Sequence, residues 1–165
     1  DRSRIAPTEY DLEFRKQLVH GFVHDQGAAL LNGVSGHAGL FGNSYDVAVI
    51  MQMLINKGAY NGVQYLSEEV VEQFTKSYDV NKSRRALGFD KPVRDGSNGP
   101  TFNGISFESF GHSGFTGTFT WADPEEEIVY VFLSNRVYPS VENTKLIKMG
   151  LRSDIQEAIY KSIKR

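Results

Sequence analysis

The tetrapeptide Gly111-His112-Ser113-Gly114 combines side chains that can move a proton with glycines that expose the backbone. It lies where an apolar strand is predicted to end, and Phe115 begins the run towards the next strand. Backbone N–H groups at such a junction can point at a developing oxyanion, and glycine lets a substrate approach the main chain closely. Taken alone, the tetrapeptide is more typical of an ordinary turn with a hydrogen-bonded histidine. Its chemistry therefore depends on what surrounds it.

Other catalytic patterns fit the chain less well. A nucleophile elbow needs Gly-x-Ser-x-Gly, and this pattern fails around Ser113 and Ser35 because the last position holds Phe115 and His37. Glycoside hydrolysis needs two carboxylates facing each other across a cleft, whereas the acidic residues 125–127 lie in a predicted turn. The chain has no Gly-x-x-x-x-Gly-Lys-Ser/Thr loop for phosphate either. These patterns favour neither an α/β-hydrolase, nor a glycosidase, nor a nucleotide-binding protein.

A metal site is conceivable at His20, His24 and Asp25, because histidines four residues apart share one face of a helix. Gly21 and the β-branched Val23 disfavour a helix there. We therefore interpret this segment as loop, and we predict no metal site and no cofactor.

The composition is that of an ordinary globular domain. The chain has 165 residues, of which 40% are hydrophobic and 12% aromatic, and its formal net charge is -2. Lys and Arg are scattered, so no basic stripe favours nucleic acid as a partner. The apolar runs at 47–51 and 128–133 are far shorter than the roughly 20 residues that a membrane helix needs. Cysteine is absent, which excludes disulfides and thiolate nucleophiles.

The amino-terminal part of the chain changes from irregular to helical near position 43. Residues 1–41 are rich in glycine at intervals too short for a helix interior, so we predict a long, ordered loop. Asn43 or Ser44 can cap the helix that follows, and Gly58 ends it. The predicted helix rests on apolar residues three and four apart, namely Val47, Ile50, Met51, Leu54 and Ile55.

A short hairpin and a second helix come next. Residues 59–65 contain an Asn-Gly turn, and Ser67 can cap a helix with acidic residues in its first turn. Residues 79–104 are rich in turn formers, so they are predicted to be loop, with 87–89 touching a sheet. The side chains predicted to face inward from the second helix are Val70, Val71 and Phe74.

The carboxyl-terminal part has the pattern of strands. Three extended runs are predicted at 105–110, 115–122 and 128–133, and the turn chemistry of 123–126 makes the last two an antiparallel hairpin. The unbroken apolar character of the third run predicts burial on both faces. Ser153 can cap a closing helix that lies on the sheet through one stripe, Ile155, Ala158, Ile159, Ser162 and Ile163.

Several motifs occur together in one order. That ordered set resembles the serine β-lactamase and penicillin-binding-protein-like family, in its class C and esterase-like branch, over nearly the whole chain. The motifs are Val23-His24-Asp25, residues 33–41 (Gly-Val-Ser-Gly-His-Ala-Gly-Leu-Phe), residues 110–118 (Phe-Gly-His-Ser-Gly-Phe-Thr-Gly-Thr), Trp121-Ala122-Asp123-Pro124 and Leu133-Ser134-Asn135-Arg136.

A narrower resemblance rests on residues 84–92 and 135–139 together with the closing helix. These segments look like the C-terminal module of bacterial proteins that fuse a family 3 β-N-acetylglucosaminidase to a β-lactamase-like domain. The resemblance implies an α+β fold of the β-lactamase/transpeptidase type.

The family resemblance assigns roles around the third box of the active site. In that family a Ser-x-x-Lys serine attacks a carbonyl, a Tyr-x-Asn or similar element assists proton transfer, and Lys-Thr-Gly or His-x-Gly lines the site from a strand. The third box matches His112, Ser113 and Gly114, which implies that His112 and Ser113 bind substrate or tune proton transfer. The backbone N–H of Phe115 would form half of the oxyanion hole.

Substrate-binding residues are expected at His37, Gly39 and Ser140. One departure from the family concerns the segment after Asn135, near which class C enzymes use polar residues for the substrate carboxylate. The position there is Val137, which cannot bind a carboxylate. Specificity for β-lactams is therefore not expected.

The nucleophile is not among these residues, because no serine is followed three positions later by lysine. The start has no Met and no apolar segment typical of a signal peptide, so we expect a cut through a longer protein. We predict that 1–165 is the C-terminal part of one β-lactamase-like domain and that the isolated chain is inactive. Residues 1–104 would be the loop and helical region beside the site, and 105–165 the sheet strands and closing helix.

The family fold implies a five-stranded antiparallel sheet, to which this chain would supply three strands, so the domain would be incomplete. The edge of residues 128–134 would normally pair with a strand of the N-terminal half. An unpaired apolar edge is a site of association, so we predict pairing with that half or self-association through the sheet edge.

Two functions are open at this point. The completed protein would be a serine hydrolase of acyl esters or amides, acting on a small-molecule or peptidoglycan-type substrate. The alternative is a non-catalytic binding module that positions a glycosidase on cell-wall material. A Ser-x-x-Lys upstream of these residues discriminates between them. The resemblance also implies a bacterial protein located in the periplasm or outside the cell.

Overall fold

The computed structural model describes residues 2–163. The described residues form short strands and helices of an α+β fold, as predicted. In chain order they are a 3-10 turn Arg2–Arg4, β1 Pro7–Asp11, β2 Gln17–His20, α1 Gln26–Leu30, α2 Ser44–Ile55, β3 Ala59–Tyr60, β4 Val63–Gln64, α3 Glu68–Thr75, β5 Phe110–Ser113, β6 Phe119–Asp123, β7 Ile128–Phe132, α4 Lys145–Lys148 and α5 Leu151–Ile163.

These elements belong to two compact units, each described by itself below. Among the described residues, unit 1 comprises 2–42, 115–118 and 133–149, and unit 2 comprises 43–114, 119–132 and 150–163. No helix of residues 2–163 is long and apolar enough to cross a membrane.

The sheet of unit 2 confirms the three predicted strands and their antiparallel pairing. Its order is β5-β6-β7, with His112 opposite Thr120 and Trp121 opposite Tyr130. The first two strands start later than predicted, β5 at Phe110 rather than 105 and β6 at Phe119 rather than 115, and β5 continues to Ser113.

Each face of this sheet packs on a different helix. On one face Phe110 and Ala122 form a buried cluster with Met51 of α2. On the other face Trp121 belongs to a cluster that contains Tyr160 of α5. The alternation of side chains along a strand separates the two sets, so β6 contributes to both clusters.

Asp123 is the polar hub beneath the β6–β7 turn. Its side chain is fully buried and accepts hydrogen bonds from the Ser106 hydroxyl at 2.5 Å, the Tyr160 hydroxyl at 2.8 Å and the backbone N–H of Glu125 at 3.1 Å. Burial raises the pKa of Tyr160, and the hydrogen bond to the Asp123 carboxylate raises it further. The carboxylate therefore joins the sheet, the closing helix and the preceding loop.

Of two predictions about burial in unit 2, one is confirmed in part and one is wrong. In β7 only Tyr130 is fully buried, while Ile128 and Phe132 pack partly buried on one core cluster and Val129 on the other, so both faces are covered in part. The closing helix starts at Leu151 and buries Gln156 and Tyr160, while the predicted inward residue Ile155 is exposed. The Tyr160 ring packs on Phe102 at 4.8 Å and its hydroxyl binds the buried carboxylate, which decides the buried face.

The predicted helices and hairpin around residue 60 are confirmed. Asn43 caps α2 by accepting from the N–H of Asp46, the Asn-Gly turn joins β3 to β4, and Ser67 caps α3. Only Val71 of α3 is buried, so the prediction that its neighbours also face inward is wrong. This eight-residue helix packs inward only through Val71, and Val70 and Phe74 are exposed.

Unit 1 corrects the prediction of a long loop at the start of the chain. Strands β1 and β2 pair as an antiparallel hairpin, with Tyr10 opposite Leu18, and α1 follows. The turn is closed by the side chain of Asp11, which accepts from the backbone N–H groups of Glu13 and Phe14 at 3.1 and 2.9 Å. A side-chain turn of this kind carries no Asn-Gly or Pro-Gly signal.

An ion-pair network holds the hairpin to the segment after it. Arg15 Nε donates to Asp11 at 2.7 Å, and its terminal nitrogens donate to Glu9 at 3.1 Å and to the carbonyls of Val23 and His24 at 2.5 and 2.7 Å. Burial raises the pKa of Asp11, but the hydrogen bonds from Arg15 and from backbone N–H groups outweigh it and lower the pKa to about 2.

Candidate functional site

Strand β5 carries the third box and is held on both sides. On one side it pairs with β6, and on the other the N–H of Asp90 donates to the Gly111 carbonyl at 2.8 Å and the N–H of Gly111 returns a bond at 3.1 Å. The predicted contact of residues 87–89 with a sheet is thus made by the next residue. The backbone leading into the box is fixed before the box begins.

Glycine is required at position 111 because the neighbouring strand β6 lies too close for a side chain. A Cβ atom built at this position would overlap the Thr120 carbonyl oxygen and lie 2.5 Å from Cε3 of Trp121. Real Cβ atoms do not approach other atoms so closely, and the indole is itself buried. The glycine that precedes the box is therefore a packing requirement of the sheet.

His112 is exposed, and its ring is oriented by its own backbone. Nδ1 lies 2.8 Å from the Ser113 carbonyl oxygen, which can only accept, so Nδ1 carries the hydrogen in the neutral ring. Nε2 then has a free lone pair. The opposite residue on β6 is Thr120, whose buried Oγ1 has no hydrogen-bond partner among the described residues. The end of β5 thus presents a proton acceptor to solvent.

The turn that contains Phe115 is fixed by Arg136, a residue to which the sequence assigned no role. Arg136 is 8% exposed, its Nε donates to the Phe115 carbonyl at 2.8 Å, and its backbone N–H donates to the Thr116 carbonyl at 2.9 Å. Nη1 donates to the carbonyls of Val141 and Asn143 at 3.1 and 3.0 Å. One guanidinium therefore joins the 115–118 turn to the loop after residue 140.

The Phe115 side chain contacts a guanidinium group and an imidazole ring. The Arg136 guanidinium carbon is 4.5 Å from the centre of the phenyl ring, and the His24 ring centre is 5.2 Å from it. His24 Nε2 is in turn 3.3 Å from a carboxylate oxygen of Glu9. These contacts hold the residue whose backbone N–H is the predicted oxyanion donor.

His37 has a partner on each ring nitrogen. Nδ1 lies 2.7 Å from Ser35 Oγ, and Nε2 lies 2.8 Å from Asp25 Oδ1. Asp25 also caps α1 by accepting from the N–H of Ala28 at 2.7 Å. The hydrogen bond from Ala28, followed by that from His37, lowers the pKa of Asp25 below its ordinary value. His37 is thus the middle of a chain of hydrogen bonds.

The remaining predicted residues lie in loops of unit 1. Gly39 has φ +123, and a Cβ there would overlap the Gly33 carbonyl oxygen, so only glycine fits. Ser140 is exposed, and its Oγ accepts from the N–H of Glu142 at 3.2 Å. Val137 is fully buried, so it lines no site.

The predicted site residues fall in both units. The box residues His112, Ser113 and Gly114 belong to unit 2, whereas Phe115 and the three predicted substrate-binding residues belong to unit 1. Their roles stay predictions. Arg136 had no sequence signal beyond its place in the Asn-Arg motif, because its partners are backbone carbonyls that no side-chain pattern reveals.

Metal ligands are not grouped in residues 2–163, where no three His, Cys, Asp or Glu side chains could hold an ion together. The two histidines considered for a metal have other neighbours. His20 Nε2 donates to the Ile5 carbonyl at 2.7 Å, and His24 faces Glu9.

The sequence model described as Beta-lactamase matches residues 4–149. The chain belongs to the Beta-lactamase family, which confirms the predicted resemblance.

Curated relatives carry the name "Putative D-alanyl-D-alanine carboxypeptidase". The protein from Escherichia coli O157:H7 is 38% identical over 151 residues, which are 84% of this chain and 34% of the relative. The protein from Salmonella agona (strain SL483) is 36% identical over 155 residues, 87% of this chain and 35% of the relative. The chain spans about a third of the length of the curated relatives it matches.

Proposed function

We propose that these residues form one wall of the active site of a serine acyl hydrolase, whose nucleophile is supplied by a further part of the same protein. The proposal rests on the hydrogen bond that fixes the tautomer of the exposed His112 ring at the end of β5. The His112 Nδ1 hydrogen is donated to the Ser113 carbonyl, which leaves Nε2 as an acceptor on an exposed side chain. A proton acceptor in a fixed tautomer is what acyl transfer needs beside its nucleophile.

The roles follow from the positions in the box. His112 Nε2 accepts a proton or a substrate hydrogen bond, and the Ser113 hydroxyl adds a second polar contact. The backbone N–H of Phe115 donates to the oxyanion of the tetrahedral intermediate, a bond worth about 3 kcal/mol in the transition state. Arg136 is a positioning residue, since it holds the Phe115 carbonyl, which belongs to the peptide group that follows the Gly114–Phe115 donor.

The nucleophile and its activating amine lie outside these residues, because no Ser-x-x-Lys occurs in them. The relatives, which are about three times as long, leave room for that motif elsewhere. We infer that residues 1–165 are the C-terminal part of one β-lactamase-like domain and that they turn over no substrate alone. The apolar strand β7, which has a free edge among residues 2–163, would pair with the remainder of the domain or with a second copy.

The substrate is proposed to be an acyl ester or amide of cell-wall type. The names of the relatives support a peptide ending in D-alanyl-D-alanine. Such a substrate is found outside the cytoplasm, in agreement with a periplasmic or extracellular protein. Fusion to a β-N-acetylglucosaminidase domain remains part of the proposal through the narrower resemblance of residues 84–92 and 135–139.

The test compares the complete protein with the 165-residue chain on an aryl acetate and on a D-alanyl-D-alanine peptide. We expect multiple turnovers by the complete protein only, together with an acyl adduct on its Ser-x-x-Lys serine. Turnover by the isolated chain would contradict the proposal. Absence of turnover by both proteins, with retention on insoluble peptidoglycan, would instead support the non-catalytic binding module.

Association is tested separately by sedimentation equilibrium of the isolated chain. The free β7 edge predicts a mass that rises with concentration towards that of a dimer. A strictly monomeric mass at high concentration would argue against self-association through this edge.

A further inference from the structure

Ser35, His37 and Asp25 form a continuous hydrogen-bonded chain in unit 1, away from the box on β5 in sequence. Ser35 Oγ lies 2.7 Å from His37 Nδ1, and His37 Nε2 lies 2.8 Å from Asp25 Oδ1. A nucleophile, a base and a carboxylate that orients the base are the three parts by which an activated serine is recognised. The third box uses none of these side chains.

When the His37 ring is neutral, these two hydrogen bonds have only one possible donor-to-acceptor direction. Asp25 is ionised near neutral pH, since hydrogen bonds from Ala28 and then from His37 lower its pKa. A carboxylate only accepts, so Nε2 carries the ring hydrogen and donates it to Asp25. Nδ1 is then the lone pair that accepts the Ser35 hydroxyl hydrogen. Asp25 thereby fixes the tautomer in which His37 can act as a base towards Ser35.

The loop that carries Ser35 and His37 is closely packed at Gly39 and open at Gly36. Gly39, at φ +123, packs against the Gly33 carbonyl, and the N–H of Gly33 donates to the Ala28 carbonyl at 2.8 Å. A Cβ built on Gly36 has no atom within 4 Å. The side chain of His37 is 58% exposed. Ser35 itself is half-buried, and the space beside Gly36 is the side from which a small electrophile can approach its hydroxyl.

We propose that Ser35 is an activated nucleophile that is modified by strongly electrophilic phosphoryl donors. With diisopropyl fluorophosphate, Ser35 Oγ forms a bond to phosphorus, the P–F bond breaks and fluoride leaves. The hydroxyl proton passes to His37 Nδ1 and from there to solvent. The product is a stable phosphate ester on Ser35, so the reaction is stoichiometric and needs no further reactant.

The experiment treats the 165-residue chain with diisopropyl fluorophosphate at neutral pH and follows each serine by peptide mass spectrometry. Ser67 is the internal control, because it is exposed and its Oγ accepts only a helix-capping bond from the Val70 N–H at 3.3 Å. General-base assistance predicts modification of Ser35 at least about tenfold faster than of Ser67. Equal rates at the two serines would overturn the proposal.

Two variants separate base catalysis from simple exposure. His37→Ala should lower the rate at Ser35 at least about tenfold and leave Ser67 unchanged. Asp25→Asn keeps an oxygen for the Ala28 N–H but loses the charge, so it should also slow Ser35, with unchanged helicity by circular dichroism as the check of folding. Unchanged labelling in folded His37→Ala would contradict the assignment. The result is independent of the proposed hydrolase function, because the isolated chain has no Ser-x-x-Lys.

Discussion

The two Gly-His-x-Gly segments, residues 36–39 and 111–114, share three of their four positions but do different things. At 111–114 the histidine stands at the end of a sheet strand, with one nitrogen held by the backbone and the other free. At 36–39 the histidine lies in a loop, and both of its nitrogens contact side chains. The neighbours, rather than the tetrapeptide, decide whether the imidazole is available to a substrate or to a serine.

The glycines of the two segments also differ in purpose. Gly111 lies against the backbone of the neighbouring strand β6 and the buried Trp121 indole, whereas Gly36 has open space around it. In the loop segment it is Gly39 whose backbone conformation requires glycine, because its φ is +123. Glycine is thus required for packing in one segment and for backbone conformation in the other.

The largest effect is expected from Gly111→Ala. The added methyl group overlaps the strand opposite and the Trp121 ring, so the free energy of unfolding should fall by about 3 kcal/mol. Gly36→Ala is the matched control, and we expect a change within about 0.5 kcal/mol. Urea unfolding measures both. Equal losses of stability in the two variants would mean that the close packing of Gly111 against β6 is not the reason why glycine is required there.

A smaller loss is expected from Arg136→Ala, which strips a donor from the carbonyls of Phe115, Val141 and Asn143. We expect about 2 kcal/mol by urea unfolding, because three carbonyls lose charge-assisted bonds from a guanidinium that is itself buried. Arg136→Lys should recover only part of it, since an ammonium group cannot reach three carbonyls from one plane.

Arg94 provides the control for the arginine–phenylalanine contact alone. Its guanidinium carbon lies 4.6 Å from the Phe107 ring centre, but the side chain is exposed. Arg94→Ala should change the free energy of unfolding by less than about 1 kcal/mol. A loss as large as that of Arg136→Ala would show that the ring contact, rather than the backbone bonds, supplies the stability.

A further effect concerns pH and the Asp11 turn of unit 1. Because the folded pKa of Asp11 is lowered to about 2, its contribution to stability is fully present above the ordinary pKa near 4 and is lost as pH falls towards 2. The free energy of unfolding should therefore decrease between pH 4 and 2 more steeply in the parent chain than in Asp11→Asn. Equal slopes would contradict the assigned role of Asp11.

The sequence predicted those parts of the fold that rest on local pattern. Helix α2 has its apolar spacing and its Asn43 cap, and the β6–β7 hairpin has its turn residues. The β1–β2 hairpin was missed because Asp11 and Arg15 close its turn through side chains. The buried face of α5 was missed because Tyr160 finds a partner that is distant in sequence.

The candidate site was predictable to the same extent. The box was recognisable from its letters and its order among other motifs. The orientation of His112 and the clamp formed by Arg136 depend on backbone carbonyls, which every residue has, so no pattern of residue types reveals them.

The most direct measurement is ester turnover by the complete protein with His112→Asn. Asparagine can still donate to the Ser113 carbonyl but has no counterpart of the free Nε2, and His20→Ala, whose histidine only donates to the Ile5 carbonyl, controls for loss of an imidazole. We expect kcat/KM to fall at least about 100-fold in His112→Asn and to stay near the parent value in His20→Ala. Unchanged turnover in His112→Asn would contradict the assignment of this strand as a wall of the active site.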